Sequence, residues 1–342
     1  MAFKCSADPG YALFGAESLL EQLAALAKEI EGVRAGRDLE HIHRMRVASR
    51  RLRVRLALFA DCFPPKKAAD WRGPVRRLTR ALGQARDTDV QIHYIQTVAD
   101  GLEKDQRGPG VARILLRLSQ RRQRLQGRVI KSLDRLQAGG ALAEIEKEAR
   151  RLRISLRMHP GEAGPSAAAR ALARDAILPR LEEMMGFEIY VTQPEREKEL
   201  HQMRIAAKRF RYAMEVFAAW YPHNLKAELK AVRAVQEMLG DVHDCDVWLA
   251  VLPGFGEEER RMAQAYQGHA RGLSRLKAGI EFVEQDRRAF REKRYREFVE
   301  LWEKARQEGR WTGLAQILEP PPAAVEAPPP PEPPPAAEGV AP

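Results

Sequence analysis

His43–Phe59 reads HRMRVASRRLRVRLALF, and 158 residues later His201–Phe217 reads HQMRIAAKRFRYAMEVF. His, Met, Arg, a β-branched residue, Ala, a basic pair, an apolar residue, Arg and Phe recur in register. Set on a helical wheel, Arg50, Arg46 and Arg53 fall within about 80° of His43. Met45, Ala48, Leu52, Leu56 and Phe59 cluster on the opposite side, which is the stripe that an amphipathic helix buries. The second copy repeats the division with His201, Arg204, Lys208 and Arg211 against Met203, Ala206, Phe210, Met214 and Phe217. A duplicated core explains matching apolar positions. It does not explain matching cations, because surface charges drift. A solvated face is the plain alternative for either copy alone, but such faces mix signs. Neither copy has an acid between its His and its last matched Arg.

A second pair of matched segments follows. Residues 82–90 read LGQARDTDV and residues 239–247 read LGDVHDCDV. Gly83 and Gly240 read as helix ends, where a left-handed residue is wanted. Asp87 and Asp244 then suit the N-cap of the next helix, and orienting the arginines of the basic helix is their alternative role. Asp89 and Asp246 lie two residues on. Arg76 and Arg233 match at the same offset, with Arg80 and Lys230 one turn away, so a second cationic helix flanks the first. His243-Asp244 resembles the metal-binding pair of one phosphohydrolase class, but the first copy has Arg86 there, and His41 and His43 point apart. No metal site, P-loop or nucleophile motif is expected.

These motifs together resemble the CHAD domain, the conserved histidine α-helical domain. The first is His-x-Met-Arg-Val-Ala-x-Arg-Arg-Leu-Arg; the second is Leu-Gly-x-x-Arg-Asp-x-Asp-Val. The second copy departs at Lys208, Phe210 and His243. The resemblance covers residues 10–318 and implies an all-α fold of two pseudo-symmetric helical bundles, residues 10–159 and 166–318, around a basic channel. It implies binding of inorganic polyphosphate there and recruitment to polyphosphate granules. The binding residues it points to are His43, Arg46, Arg50, Arg51, Arg53, His201, Arg204, Lys208, Arg209 and Arg211. Arg51 and Arg209 lie at the edge of the stripe, where the neighbouring helix or its acids can claim them. Many relatives carry an N-terminal triphosphatase-type domain; this chain opens almost directly on the first helix, and neither catalysis nor a cofactor is expected.

Composition fits a polyanion partner or an acidic surface, without deciding between them. The net charge is +11; the segment 319–342 holds four Glu and no Lys or Arg, leaving +15 on residues 1–318. Polyphosphate offers oxyanions without bases or sugars, and Arg answers with a planar fork that stays charged. Nucleic acid is the alternative ligand class, expected only non-specifically, since no recognition motif is visible and Tyr212 is the lone aromatic of the stripe. A polyphosphate or triphosphate hydrolase is the less favoured alternative. Cys5, Cys62 and Cys245 make no disulfide framework, and no signal peptide or 18-residue apolar run is present, so a cytoplasmic protein without a membrane partner is expected.

The remaining chain reads as helix. Expected helices include about 15–34, Ser166–Met185, 111–137 and 258–287, with Thr192–Glu195 as a capping box opening the second basic helix. Arg113, Arg117, Arg121, Arg124 and Arg128 step along one helix at spacings of three and four, as a channel extension or a wet face. Residues 159–165 read as the hinge between halves. The Pro-rich end, 319–342, reads as a disordered tail that offers a docking segment to other proteins.

Overall fold

A computed structural model describes residues 8–102, 105–157 and 165–319. Cys5, most of the expected hinge and all but Glu319 of the Pro-rich end lie outside the described residues. Within them the chain is helical throughout: α1 (Pro9–Ala27), α2 (Ile30–Ala35), α3 (Leu39–Leu58), α4 (Pro65–Asp100), α5 (Gly108–Ala138), α6 (Ala141–Arg157), α7 (Ala167–Met185), α8 (Glu197–Phe217), α9 (Lys226–Gln267), α10 (Lys277–Gln307) and α11 (Arg310–Ile317). No described helix is long and apolar enough to cross a membrane.

The duplication is visible in the packing. In the first half α1 lies on α3, α3 on α4 and α4 on α5; in the second α7 lies on α8, α8 on α9 and α9 on α10. The two halves meet where α3 touches α8, α1 touches α7 and α5 touches α10. The predicted apolar faces are the buried ones: Met45, Leu52 and Phe59, and Met203, Phe210 and Phe217, have no exposed surface.

Local signals explain several boundaries. Asp8 and Asp38 cap α1 and α3 through the amides of Tyr11 and Glu40, and Ser166 caps α7 through Ala169. Other expectations need correction. The first helix starts earlier, at Pro9, and breaks before α2, where Glu29 turns inward to accept bonds from His41 and Arg44. Thr192–Glu195 does not cap α8, which opens at Glu197 without a side-chain cap. That segment is instead tied to α10: Arg291 donates to the Pro194 carbonyl at 2.9 Å and Tyr295 to the Val191 carbonyl at 2.7 Å. The helix expected at 258–287 is two, because α9 stops at Gly268 with φ +70° and α10 starts at Lys277. Gly83 and Gly240 do not end helices. They lie inside α4 and α9, so Asp87 and Asp244 are mid-helix residues and not caps.

The far ends of α4, α5, α9 and α10 enclose a second apolar core of Ile95, Val111, Ile114, Trp248, Leu252, Ile280 and Val283. Here α5 and α10 cross at two glycines. A Cβ on Gly279 would sit 2.2 Å from the Arg107 carbonyl oxygen and 2.8 Å from the Gly110 Cα. Both neighbours are backbone, so the helices must part. We expect Gly279→Ala to destabilise the fold by about 2–3 kcal/mol in urea unfolding. Gly127→Ala on α5, where a Cβ meets nothing within 4 Å, should be neutral or stabilising by up to about 1 kcal/mol. Equal effects of the two changes would contradict the close crossing.

Candidate functional site

The site grows from the contact between α3 and α8. Their C-terminal ends carry the matched phenylalanines, and Phe59 and Phe217 meet edge to face with ring centroids 5.9 Å apart. Tyr11, Phe14 and Trp220 close around them. One turn or more upstream, the cations of both helices are brought to the same place. Arg50 of α3 lies 4.7 Å over the Tyr212 ring of α8, and Arg211 lies 4.6 Å over the same ring. Lys208 feels Arg204 of its own helix and Arg50 and Arg46 of the other. The two basic helices therefore form one seam.

Acids are few. Asp87 on α4 pairs with Arg46 at 3.4 Å, so its arginine-orienting role is the one the geometry favours over capping. Asp244 on α9 acts on Arg204 and Lys208. It keeps contact with water, yet enough protein surrounds it that burial raises its carboxyl above the usual range, against the pull of Arg204. Asp89 and Asp246 turn away from the seam, to Arg122 on α5 at 2.6 Å and to Arg291 on α10 at 2.5 Å. The glycines of the second motif serve the same geometry. A Cβ on Gly83 would lie 3.7 Å from Arg46 Nε, and one on Gly240 3.6 Å from Arg204 Nε. A longer side chain at either place would occupy the path of the guanidinium.

The cations are underpartnered. Among the described residues, Arg50 Nε, Arg204 Nε, Arg211 Nε, the Tyr212 hydroxyl, His43 Nδ1 and His201 Nδ1 are buried without a hydrogen-bond partner. Buried polar atoms are normally satisfied, and each orphan costs about 1–3 kcal/mol. Burial lowers the pKa of Arg50 to about 10, with Arg46 and Arg211 adding to it. Lys208 is pushed down to about 7, first by burial and then by Arg204, Arg50 and Arg46. His43 and His201 are held below the ordinary imidazole value by burial, aided by Arg86 and by Arg204 respectively. The His243 ring lies tilted against His201 with centroids 3.9 Å apart, and burial, aided by His201 and Arg204, lowers its pKa to about 4.

The expected residues thus divide. Arg46, Arg50, Arg204, Lys208 and Arg211 gather in the seam with His43 and His201 beside them. Arg53 is exposed next to Arg76 and Arg80, whose charges it feels. Three residues lie elsewhere. Arg209 is engaged by Glu183 on α7. Arg51 borders a hollow of about 360 Å³ with Glu21, Arg55, Glu215 and Arg233. Lys230 rims a different, apolar hollow between α9, α10 and α11. In the second copy Glu215 binds Arg233 at 3.0 Å and reaches Arg211 at 3.5 Å, so these two cations are partly neutralised. Sequence reasoning missed Glu215 and undervalued Tyr212. Neither has a counterpart in the first copy, where Ala57 and Val54 stand, and a search for matched positions passes over both.

An all-helical domain built by duplication, with underpartnered cations where its halves meet, is the class these observations define. The sequence pattern of the CHAD domain matches residues 17–253, and the chain belongs to that family. Among solved structures, the CHAD domain from the plant Ricinus communis aligns with a TM-score of 0.56 at 23% identity, covering 82% of this chain and 94% of that one. PptA from Streptomyces chartreusis aligns with a TM-score of 0.58 at 15% identity, covering 85% and 99%. Both likenesses are of fold. No curated protein matches.

Lys208 changes the expected pH behaviour. By residue type alone, a rise in affinity for a polyanion from about pH 8 to 6 would belong to His43 and His201, because arginines do not titrate there. Lys208 now titrates near 7 in the free protein. A polyanion seated against it favours the charged form and returns its pKa toward the ordinary value. Between those two values binding takes up a proton, so affinity falls as pH rises above about 7. Below 7 Lys208 is charged in both states and contributes no slope; only there do the lowered histidines act. Calorimetry of tripolyphosphate binding at pH 8, in buffers of different ionisation enthalpy, should show proton uptake. Lys208→Arg should abolish most of it, and uptake that survives in this variant would return the effect to the histidines.

Proposed function

We propose that this chain binds inorganic polyphosphate along the seam between α3 and α8. The observation that carries the reading is the set of buried donors without partners, Arg50 Nε, Arg204 Nε, Arg211 Nε and the Tyr212 hydroxyl, drawn from both halves around one line of charge. A site with excess cations, orphaned donors and few acids is complete only with an anion. From Arg46 to Arg53, or Arg204 to Arg211, each helix presents charge over about 10 Å. That length suits a chain of phosphates better than a single one. Tyr212 already carries two guanidiniums, so the stripe's aromatic is not free for a base to stack on. This favours polyphosphate over nucleic acid.

Binding is proposed without turnover. Asp89 and Asp246 are held by Arg122 and Arg291, and Asp87 is held by Arg46, which suits orientation of cations more than proton transfer. A chain with this activity would be carried to polyphosphate granules by its ligand.

Titration with long-chain polyphosphate, tripolyphosphate, orthophosphate and DNA tests the reading, with phosphate release followed with and without magnesium. Long-chain polyphosphate should bind tightest and no phosphate should appear. Arg50→Gln and Lys208→Gln, one in each half, should each weaken binding about 10–100-fold, the loss of one charge-assisted contact of about 1.5–3 kcal/mol. Circular dichroism should be unchanged. Affinity should also fall steeply with salt, by about 0.7 log unit per log unit of salt for each phosphate contact if polyphosphate behaves as a single strand. If either variant binds as the wild type does, the shared seam is wrong.

A further inference from the structure

The stepped arginines of α5 do not share one fate. Arg113 and Arg117 are taken by the buried carboxylate of Glu259 on α9. Arg121, Arg124 and Arg128 are exposed, and the same face continues through the exposed Lys131 and Arg135. None of these five side chains has a hydrogen bond or ion pair with a described residue. Steps of three, four, three and four residues keep them within about 80° of one another over about 21 Å of helix. Neighbours at those spacings repel one another when like-charged. The one acid of α5, Asp134, lies off this face and binds Arg34 at 2.6 Å.

The matched helix of the other half shows that this is not a by-product of the duplication. α10 carries seven acids among its residues 277–307. Most of its arginines are spent on carboxylates: Arg287 on Asp286, Arg288 on Glu284, Arg291 on Asp246, Arg294 on Asp241, Arg306 on Glu303. Of these two matched helices, α5 is the one that keeps a one-sign face. That face is separate from the seam, because α4 packs between α5 and α3.

We propose that Arg121, Arg124, Arg128, Lys131 and Arg135 form a second polyphosphate-binding stripe on the outside of α5, so that one molecule holds two polyphosphate strands and bridges them. The inference rests on the polyphosphate reading of the seam. The chemistry favours this occupant over other polyanions. α5 contains no aromatic residue on which a base could stack. Its exposed large apolar residue, Leu116, lies off the stripe, so nothing on this face would enter a membrane. A straight row of point charges on a convex helix fits a thin, flexible, evenly charged chain. Bridging follows from geometry: a strand in the seam and a strand on α5 occupy different faces.

The test uses the full chain and three variants. The stripe variant is Arg121→Gln, Arg124→Gln, Arg128→Gln, Lys131→Gln and Arg135→Gln; these exposed side chains make no hydrogen bond or ion pair with a described residue, so helix content should be retained. The seam variant is Arg50→Gln, Lys208→Gln. The third combines both. Light scattering is followed as long-chain polyphosphate is added, and binding of the same probe is measured by calorimetry. The wild type should scatter strongly through bridged strands. The stripe variant should bind with affinity within about twofold of wild type but lose most of the scattering and show fewer phosphates bound per protein. The seam variant should keep a weaker, salt-sensitive binding that the combined variant loses. Undiminished scattering in the stripe variant overturns the proposal, as does residual binding in the seam variant that the stripe changes do not touch. Residual binding of the seam variant that prefers duplex DNA to polyphosphate at equal phosphate overturns it in favour of a nucleic-acid face. Wild-type affinity in the seam variant is a separate result: it removes the seam reading and leaves the stripe to be judged by the combined variant.

Discussion

The contact between Phe59 and Phe217 holds the molecule's central arrangement. These rings end the two basic helices, and with Tyr11, Phe14 and Trp220 they form one aromatic cluster shared by both halves. Each aromatic contact contributes about 0.5–1.5 kcal/mol beyond its buried area. The area itself contributes about 1.5–3 kcal/mol for each fully buried ring. The cluster needs α1 at very short range: a Cβ on Gly15 would come within 2.6 Å of the Phe59 ring. Tyr11 adds a hydrogen bond to the Leu58 carbonyl at 3.0 Å, just where α3 ends. The clasp is apolar, at one end of α3 and α8, and it brings together what would otherwise separate.

What it brings together is unfavourable by itself. Arg46, Arg50, Arg204, Lys208 and Arg211 share a partly desolvated seam, and burial is the first cause of the lowered pKa of Arg50, Arg204 and Lys208. For Lys208 the fall to about 7 corresponds to a few kcal/mol against its charged form. The aromatic cluster and the apolar faces of α3 and α8 offset that cost within the fold. Under the proposed reading, a polyanion would meet cations already in place, with little left to organise on binding. The copies contribute unequally. The second supplies Tyr212, which gathers Arg50 and Arg211, and Glu215, which restrains Arg211 and Arg233. The first supplies the freer cations, Arg53 with Arg76 and Arg80 beside it.

The helical fold and the duplicated basic face were legible because amphipathic periodicity and repetition are local properties of sequence. Met45, Leu52, Met203 and Phe210 could be placed in the core from spacing alone. The meeting of the two faces was not legible, since it depends on an aromatic contact between residues 158 positions apart. The edge positions Arg51 and Arg209 illustrate the same limit. Both sit at one angle on their helices, yet one borders an open hollow and the other finds Glu183 on α7. The helix ends expected at Gly83 and Gly240 were misjudged because glycine has more than one use. Glycine marks left-handed turns at Gly36 and Gly268, with φ of +64° and +70°, but Gly83 and Gly240 lie within continuous helices, each beside an arginine of the seam.

That continuity explains the acids of the second motif. Residues two apart on a helix point to nearly opposite sides. Asp87 faces α3 and pairs with Arg46, while Asp89 faces α5 and is bound by Arg122 with its side chain almost wholly buried. Asp244 and Asp246 divide in the same way between the Arg204 side and Arg291 of α10. Carried through the glycine, α4 becomes the middle layer of three: its inner acid positions a seam cation, and its outer acid ties the helix to the next layer. α9 does the same in the other half. The inner pair at Arg46 is long, 3.4 Å, and Asp87 is largely exposed; the outer pair at Arg122 is 2.6 Å and enclosed. A short, buried ion pair is strongly destabilising to break, whereas a long, wet one yields at little cost. The tight bond therefore sits where the fold must not move, and the loose one lies in the seam, where under the proposed reading an incoming anion would displace a carboxylate from its arginine.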